Sequence, residues 1–324
     1  MTARIFATGL ALSALAMPVF AQSGAAQKYP TKPVRLLVGF APGGGSDILA
    51  RAVGQKLTER LGQSVVTDNR AGAGGIIAMD LARGSPPDGY TLLVISGSAL
   101  TNATIFTKVD YDVRKALAPI SQMSAQPYVM LAHPSVPVQN VKDLIAHARA
   151  RKGGLNYGTS GTGSSGHLGM ELFKSMVKVE MTHIPYKGSG AALIDLVAGQ
   201  VQVTIASAVS SMPHAASGKV RALAVTSLNR SRFLPDLPSV SESGVPGYDV
   251  TGWYGLAAPP GTPAAIVNQL SRELNTILRL PDIQEKLAAD GTEAVPSTPA
   301  ELSKAISNEI DKWTRLVNTT GLKL

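Results

Sequence analysis

Two short segments carry the residue types best suited to holding a small anion. The first is Ala41-Pro42-Gly43-Gly44-Gly45-Ser46-Asp47, and the second is Gly158-Thr159-Ser160-Gly161-Thr162-Gly163-Ser164-Ser165-Gly166. Each follows an apolar run that reads as a strand and opens a segment with helical spacing. Glycine lets backbone N–H groups crowd towards a ligand. A helix start leaves N–H donors unpaired and carries a partial positive charge, a combination that suits a carboxylate. Thr159, Ser160, Thr162, Ser164 and Ser165 add five hydroxyl donors without adding a full charge. A single glycine turn of this kind is usually only a tight connection. Two in matched places are read as donor surfaces facing each other across a cleft.

Other chemistries fit these residues less well. Gly161-x-Gly163-x-x-Gly166 has dinucleotide-type spacing, but the acidic residue expected at the end of the next strand is replaced by His183-Ile184-Pro185. Neither turn ends in the Lys-Ser/Thr of a phosphate-binding P-loop. A serine hydrolase would draw on Ser164 or Ser165 near His167, yet Gly-x-Ser-x-Gly does not occur there. It stands as the competing enzymatic reading. The five histidines, His133, His147, His167, His183 and His214, include no pair spaced i, i+4, and cysteine is absent. That pattern predicts no metal site, no disulfide and no thiolate chemistry. His167 is expected to hydrogen-bond at a helix start or in the cleft, not to act as a base.

The elements that must position these turns alternate in type. Val34 to Phe40 reads as a buried strand. Ile48, Leu49, Ala52, Val53, Leu57 and Leu61 follow at helical spacing, with Ser46 or Asp47 expected as cap. A strand at Ser64–Thr67, a glycine loop at Gly72–Gly75, a short helix to Arg83 and a strand at Thr91–Ile95 complete a βαβαβ beginning, which predicts a parallel sheet flanked by helices. The same alternation resumes from Val141 and runs through strands at Leu155–Thr159, Glu180–Pro185, Val201–Ile205 and Val220–Thr226. From Gly247 the chain turns aromatic and extended through Tyr248, Trp253 and Tyr254. Helices starting near Pro263, Pro281 and Pro299 finish it.

The pattern predicts an α/β protein of two lobes: residues 28–124 with 249–324 in one, and 125–248 in the other. Joined by two hinge crossings, they form a clamshell with its site in the cleft; two independent α/β domains are the alternative. Residues 1–21 read as a secretory signal peptide: Arg4, an apolar stretch from Ile5 to Val19, and small Ala21 at the cleavage point. The mature protein is therefore expected in the periplasm. The formal charge of +8 is scattered, without a dense basic run interleaved with aromatics, so no nucleic-acid partner is predicted.

The segments Val34 to Asp47, Asn69 to Gly75, Pro87 to Leu92, Tyr157 to Leu168, Pro185 to Gly188 and Trp253 to Leu256 together resemble the Bug family, the TctC-like receptors of tripartite tricarboxylate transporters. The resemblance covers nearly the whole chain after the signal peptide. It implies a type II-like periplasmic binding fold, no catalysis and no cofactor. It also implies a small carboxylate held by Phe40, Ala41, Pro42, Gly43, Gly44, Gly45, Ser46 and Asp47 on one side, and by Thr159, Ser160, Gly161, Thr162, Ser164 and Ser165 on the other. Delivery would be to a membrane permease of two subunit types; a sensor subunit on a membrane kinase would bind its ligand in the same way. Ser98, Ala206, Ser207 and Trp253 are expected to form the remaining walls. Family members often carry an aromatic residue, Asp and Asn where this chain has Ile205, Ala206 and Ser207. That departure predicts a less polar far end and argues against an amino-acid ligand.

Overall fold

The computed structural model describes residues 29–107, 109–151, 154–289 and 291–320, so the expected signal peptide lies outside the described residues. The chain begins with β1 (Val34–Val38), α1 (Gly45–Leu61), β2 (Val65–Asn69), α2 (Ile76–Arg83), β3 (Thr91–Ser96) and α3 (Gly97–Thr101). A π-helical turn at Asn102–Phe106 continues directly from α3. Then follow β4 (Ala118–Ala132), α4 (Val141–Ala150), β5 (Leu155–Thr159), α5 (Ser165–Val177), β6 (Met181–Pro185), α6 (Ser189–Val197), β7 (Val203–Ser207), α7 (Ala208–Ala216) and β8 (Arg221–Val225). The last part comprises β9 (Thr251–Ala258), α8 (Ala264–Ile277), α9 (Pro281–Ala289), β10 (Glu293–Ala294) and α10 (Pro299–Thr320).

Strand order is β2-β1-β3-β9-β4-β7-β5-β6, with β10 and β8 also paired to β4. β1 is parallel to β2 and β3, and β5 is parallel to β6 and β7. The apolar runs are uninterrupted because both faces of these strands are covered. In β1, Leu36 packs with Leu49, Val53 and Leu57 of α1, while neighbouring Leu37 packs with Met79 and Ala82 of α2. In β4, Met130 joins the cluster of Leu168 and Phe173 from α5, and Val129 joins that of Leu193 and Leu196 from α6. The start of α1 differs from expectation: Gly44 is the cap residue, and Ser46 and Asp47 lie in the first turn. Asp47 reaches back to accept the Gly43 N–H at 3.0 Å, doing a cap's work from inside the helix.

β4 unites the two halves. Residues from Ala118 to Pro127 pair with β9, and Tyr128 to Ala132 pair with β7. The chain crosses back between β8 and β9, and buried Thr226 fastens the two crossings together. Its Oγ accepts from the Tyr128 N–H (2.9 Å) and donates to the Val250 carbonyl (2.6 Å). The Val250 N–H donates in turn to the Thr226 carbonyl at 2.8 Å. A third tie is α10: Leu302, Ile306 and Ile310 pack into the core beneath β3 and α2, whereas Trp313 joins the core of the other half.

Thr226→Val keeps the shape at this junction but removes the hydroxyl. It is expected to destabilise the protein by about 1–3 kcal/mol, read as a lowered urea midpoint with an unchanged m-value.

Candidate functional site

Between the two halves lies a cavity of about 30 Å³. One side supplies Phe40, Ser98 and Tyr254; the other supplies Ser160, Ser165, Gly166, Ser189, Ile205, Ala206 and Ser207, with Tyr128 at the crossing. None of these residues is charged. Four helices of eight or more residues begin at its edge. α5, α6 and α7 start at Ser165, Ser189 and Ala208, and the fourth, α1, starts at Gly45 against Ser207. The cavity wall is therefore polarised by backbone N–H groups and hydroxyls, with the positive ends of helix dipoles aimed inward.

The hydroxyls are ordered. Tyr128 donates to Ser165 Oγ at 2.8 Å, Ser96 and Ser98 lie 3.2 Å apart, and Ser207 and Ser210 lie 2.8 Å apart. The Tyr254 hydroxyl is hydrogen-bonded to Ser207 and to the Ser46 backbone, linking opposite walls. Burial pushes Tyr254 up to about 12 and Tyr128 well above the ordinary phenol value, so both remain neutral donors.

The walls meet directly. The Ala41 N–H donates to the Lys187 carbonyl at 2.8 Å. At Gly45 a Cβ would lie 2.9 Å from Val209 Cγ1 and 3.0 Å from Ser207 Cβ, so only glycine allows this approach of α1 to α7. The second turn closes on the π-helical turn after α3. Gly163, at φ +76°, lies against Asn102, whose Nδ2 donates to the Ala73 carbonyl at 2.7 Å.

Beneath the second turn lies a stack of rings. The Gly163 N–H donates to His167 Nδ1 (3.1 Å), and Thr159 Oγ is 2.6 Å from His183 Nε2. The two imidazoles stack with centroids 4.0 Å apart, and Tyr157 stacks on His183 at 5.0 Å. Burial, reinforced by neighbouring His167 and Lys174, pushes His183 down to about 3. Burial likewise lowers His167.

The sequence-predicted residues divide by position. Phe40, Ser98, Ser160, Ser165, Ala206 and Ser207 line the cavity. Gly44 and Gly45 pack against the opposite wall at Ser189 and Ser207, and Ala41 is bonded across the cleft to Lys187. Pro42 and Gly43 are exposed near that contact, and Ser46 reaches the cavity through its backbone. Thr159 and Gly161 support the second turn from below, Ser164 caps α5, and Thr162 is exposed. The Asp47 carboxylate is engaged by the Gly43 N–H and by Arg51 (3.1 Å) and Asn69 (3.0 Å). Burial alone would raise its pKa, but these bonds outweigh that effect and hold it below the ordinary range. Trp253 packs with Leu302 and Ile306, its indole bonded to Glu309, while the next residue, Tyr254, faces the cavity.

Tyr128 and Ser189 are lining residues without a sequence assignment. Ser189 follows Pro185-Tyr186-Lys187-Gly188, another strand–glycine–helix junction and hence a third instance of the pattern used for the two turns. Tyr128 has no comparable local signal. Among the described residues no three His, Cys, Asp or Glu side chains form a metal-binding group, and no helix is long and apolar enough to cross a membrane.

Comparison with known proteins matches residues 49–322 to the model described as "Tripartite tricarboxylate transporter family receptor". The chain is 37% identical to BugT of Bordetella pertussis over 317 residues, which cover 97% of this chain and 96% of that protein. The structure resembles that of the periplasmic binding protein BugD with a TM-score of 0.87 and 32% identity, over 91% of this chain and 99% of that one. It resembles R. palustris Rpa4515 with adipate equally well, with a TM-score of 0.87, 38% identity and the same coverage. The protein thus has the two-lobe α/β periplasmic binding fold expected from its sequence. By sequence and by structure, the chain belongs to the tripartite tricarboxylate transporter receptor family, a family of solute-binding proteins and not of enzymes.

Proposed function

We propose that this protein is a periplasmic receptor that closes around a small carboxylate, without an ammonium group, and delivers it to a membrane permease of two subunit types. One observation carries the reading: an interlobe cavity with no charged lining residue, surrounded by four helix starts and ordered hydroxyls. Such a wall favours a negative group and offers an ammonium no carboxylate. The turns Phe40–Asp47 and Thr159–Ser165 present the donors, and Ser98, Ala206, Ser207 and Tyr254 select what lies beyond the carboxylate. Trp253 acts on the fold and not on the ligand. Adipate in the structure of Rpa4515 supports a dicarboxylate as ligand. Family membership favours a permease over a sensor kinase as partner, and export with removal of residues 1–21 would place the receptor beside it.

In this mechanism the open protein samples closure, and the ligand adds contacts available only when both walls meet. The test is thermal unfolding, after unfolding and refolding to strip carried-over ligand, against a panel of acids including adipate, their amides, and matched amines and amino acids. A bound acid at about 1,000 times its Kd adds roughly 4 kcal/mol, a shift of several degrees or more. Shifts confined to acids support the proposal. Equal shifts from amides or amines, or none from any acid, would overturn it.

Closure itself is tested by Gly45→Ala. Alanine is the better helix former by about 1 kcal/mol, so unfolding of the ligand-free protein should be unchanged or slightly improved. The added methyl meets Val209 and Ser207 only when the walls touch. Affinity for the best acid should therefore fall at least tenfold in calorimetry. Unchanged affinity would show that tight closure is not needed for binding.

A further inference from the structure

A second chamber, of about 10 Å³, lies between the lobes on the other side of Tyr254. Tyr254 lines both this chamber and the first cavity. Gly45 lines the chamber and touches Ser207 of the first cavity, so the two spaces adjoin at the start of α1. The chamber follows α1 from Gly45 to Ala52, a rise of about 10 Å. Its walls are mostly apolar. Leu49 of α1 and Ile283 and Leu287 of α9 stand on one side, and Val209 of α7 stands on the other.

Two polar side chains in this lining are unsatisfied. Gln126 of β4 is 1% exposed, and Thr292, between α9 and β10, is 3% exposed. Gln126 Oε1 accepts from Ser124 Oγ at 2.9 Å, which leaves the donor end of the amide unpaired. The Thr292 hydroxyl has no hydrogen-bond partner either. Buried polar atoms without a partner are few in native proteins and costly to keep, so each asks for a reason. Gln126 and Thr292 also border outer grooves, but different ones; the chamber is the cavity they share. Lys286 completes the lining and is exposed to solvent.

We propose that this chamber is a far subsite of the receptor, where Gln126 and Thr292 donate to an oxygen at the distal end of the ligand and so select a straight-chain dicarboxylate over the matching monoacid. The inference rests on the reading of the first cavity as the seat of the near carboxylate. The methylene chain lies along Tyr254 and the apolar walls. The chamber has room for about one water-sized group, so one oxygen of the far carboxylate enters and the remainder stays at its mouth. Because α1 and α9 belong to one lobe and α7 to the other, the chamber opens to an arriving ligand when the lobes part and shuts around its end when they meet.

The probes are straight-chain diacids from succinate to suberate, each beside its monoacid of equal length. They are titrated calorimetrically into the wild type, Thr292→Val and Gln126→Glu. Thr292→Val keeps the shape and removes only the hydroxyl. Gln126→Glu keeps an acceptor for Ser124 and removes the donor. The wild type should prefer its best diacid over the matching monoacid by about tenfold or more, and each substitution should cut that preference by about tenfold. Monoacid affinity should stay the same in Thr292→Val. Unfolding of the ligand-free protein separates this role from a structural one. Loss of an unpaired hydroxyl leaves the midpoint of Thr292→Val unchanged or raised, whereas a lowered midpoint would count against the proposal. If Gln126→Glu fails to fold, Thr292→Val decides alone. Acids that bind without preference for diacids, or a preference that survives the substitutions, overturn the subsite and leave the receptor reading standing. If no acid of any kind binds, the receptor reading falls first and the subsite falls with it.

Discussion

An anion taken out of water must regain its lost hydration from the groups around it, and an unpaired buried charge costs many kcal/mol. In this cleft no lining side chain is charged, so the compensation has to come from dipoles: helix starts, backbone N–H groups, and serine and tyrosine hydroxyls. Each such contribution is small, about 0.3–1 kcal/mol for a helix terminus and up to about 2 in buried geometry, and it fades within one turn. A site made this way needs several donors at close range at once. This explains why glycine backbone on one wall lies directly against the other wall. The approach of Gly45 to Ser207 and Val209, and of Gly163 to Asn102, leaves no room for a Cβ. The glycines follow from the absence of a cation in the lining.

The same requirement shapes the remainder of the molecule. Donors from two lobes can converge only if the lobes return to one relative position each time they close. Continuous β4 supplies one covalent guide, and the return from β8 to β9 supplies the other. Thr226 bonds the two at the point where they pass. α10 adds a noncovalent strap, with its first half in one core and Trp313 in the other. The first turn is braced against α1 and β2 by Asp47, Arg51 and Asn69, and the second is braced from below by His167 and Thr159. The polar groups nearest the cleft thus include braces as well as walls.

That division limits what could be read from the sequence. β1 with α1, and β5 with α5, were legible because each strand runs into a glycine-rich turn that gives way to helical spacing. β4 was not. Its first half carries Pro119, Gln122, Gln126 and Pro127, and its register shifts twice against β9, so neither alternation nor a continuous run survives. The two glycine turns were recognisable as junctions, but their sequence does not show which way a side chain points. Asp47 looks like a ligand contact and turns to Arg51 instead. Trp253 and Tyr254 are adjacent on a strand, so one must face the core and the other the cleft, and nothing local decides which. Tyr128 enters the cavity through a long-range crossing for which a linear pattern holds no information.

A charged arginine or lysine in the lining would hold a carboxylate more strongly than dipoles can. Arg51 is near enough to the first turn to raise the question, but Asp47 neutralises it there with contacts at 3.0 and 3.1 Å. For a receptor that must surrender its ligand, this arrangement has a physical advantage. A buried ion pair, once broken, leaves an uncompensated charge costing about 3–5 kcal/mol, which would retain the ligand in the closed form. Dipolar donors return to water or to one another at far lower cost when the lobes part. Under the proposed function, the strength of binding is set by how completely the walls close, and parting the lobes would remove most of the affinity in one motion.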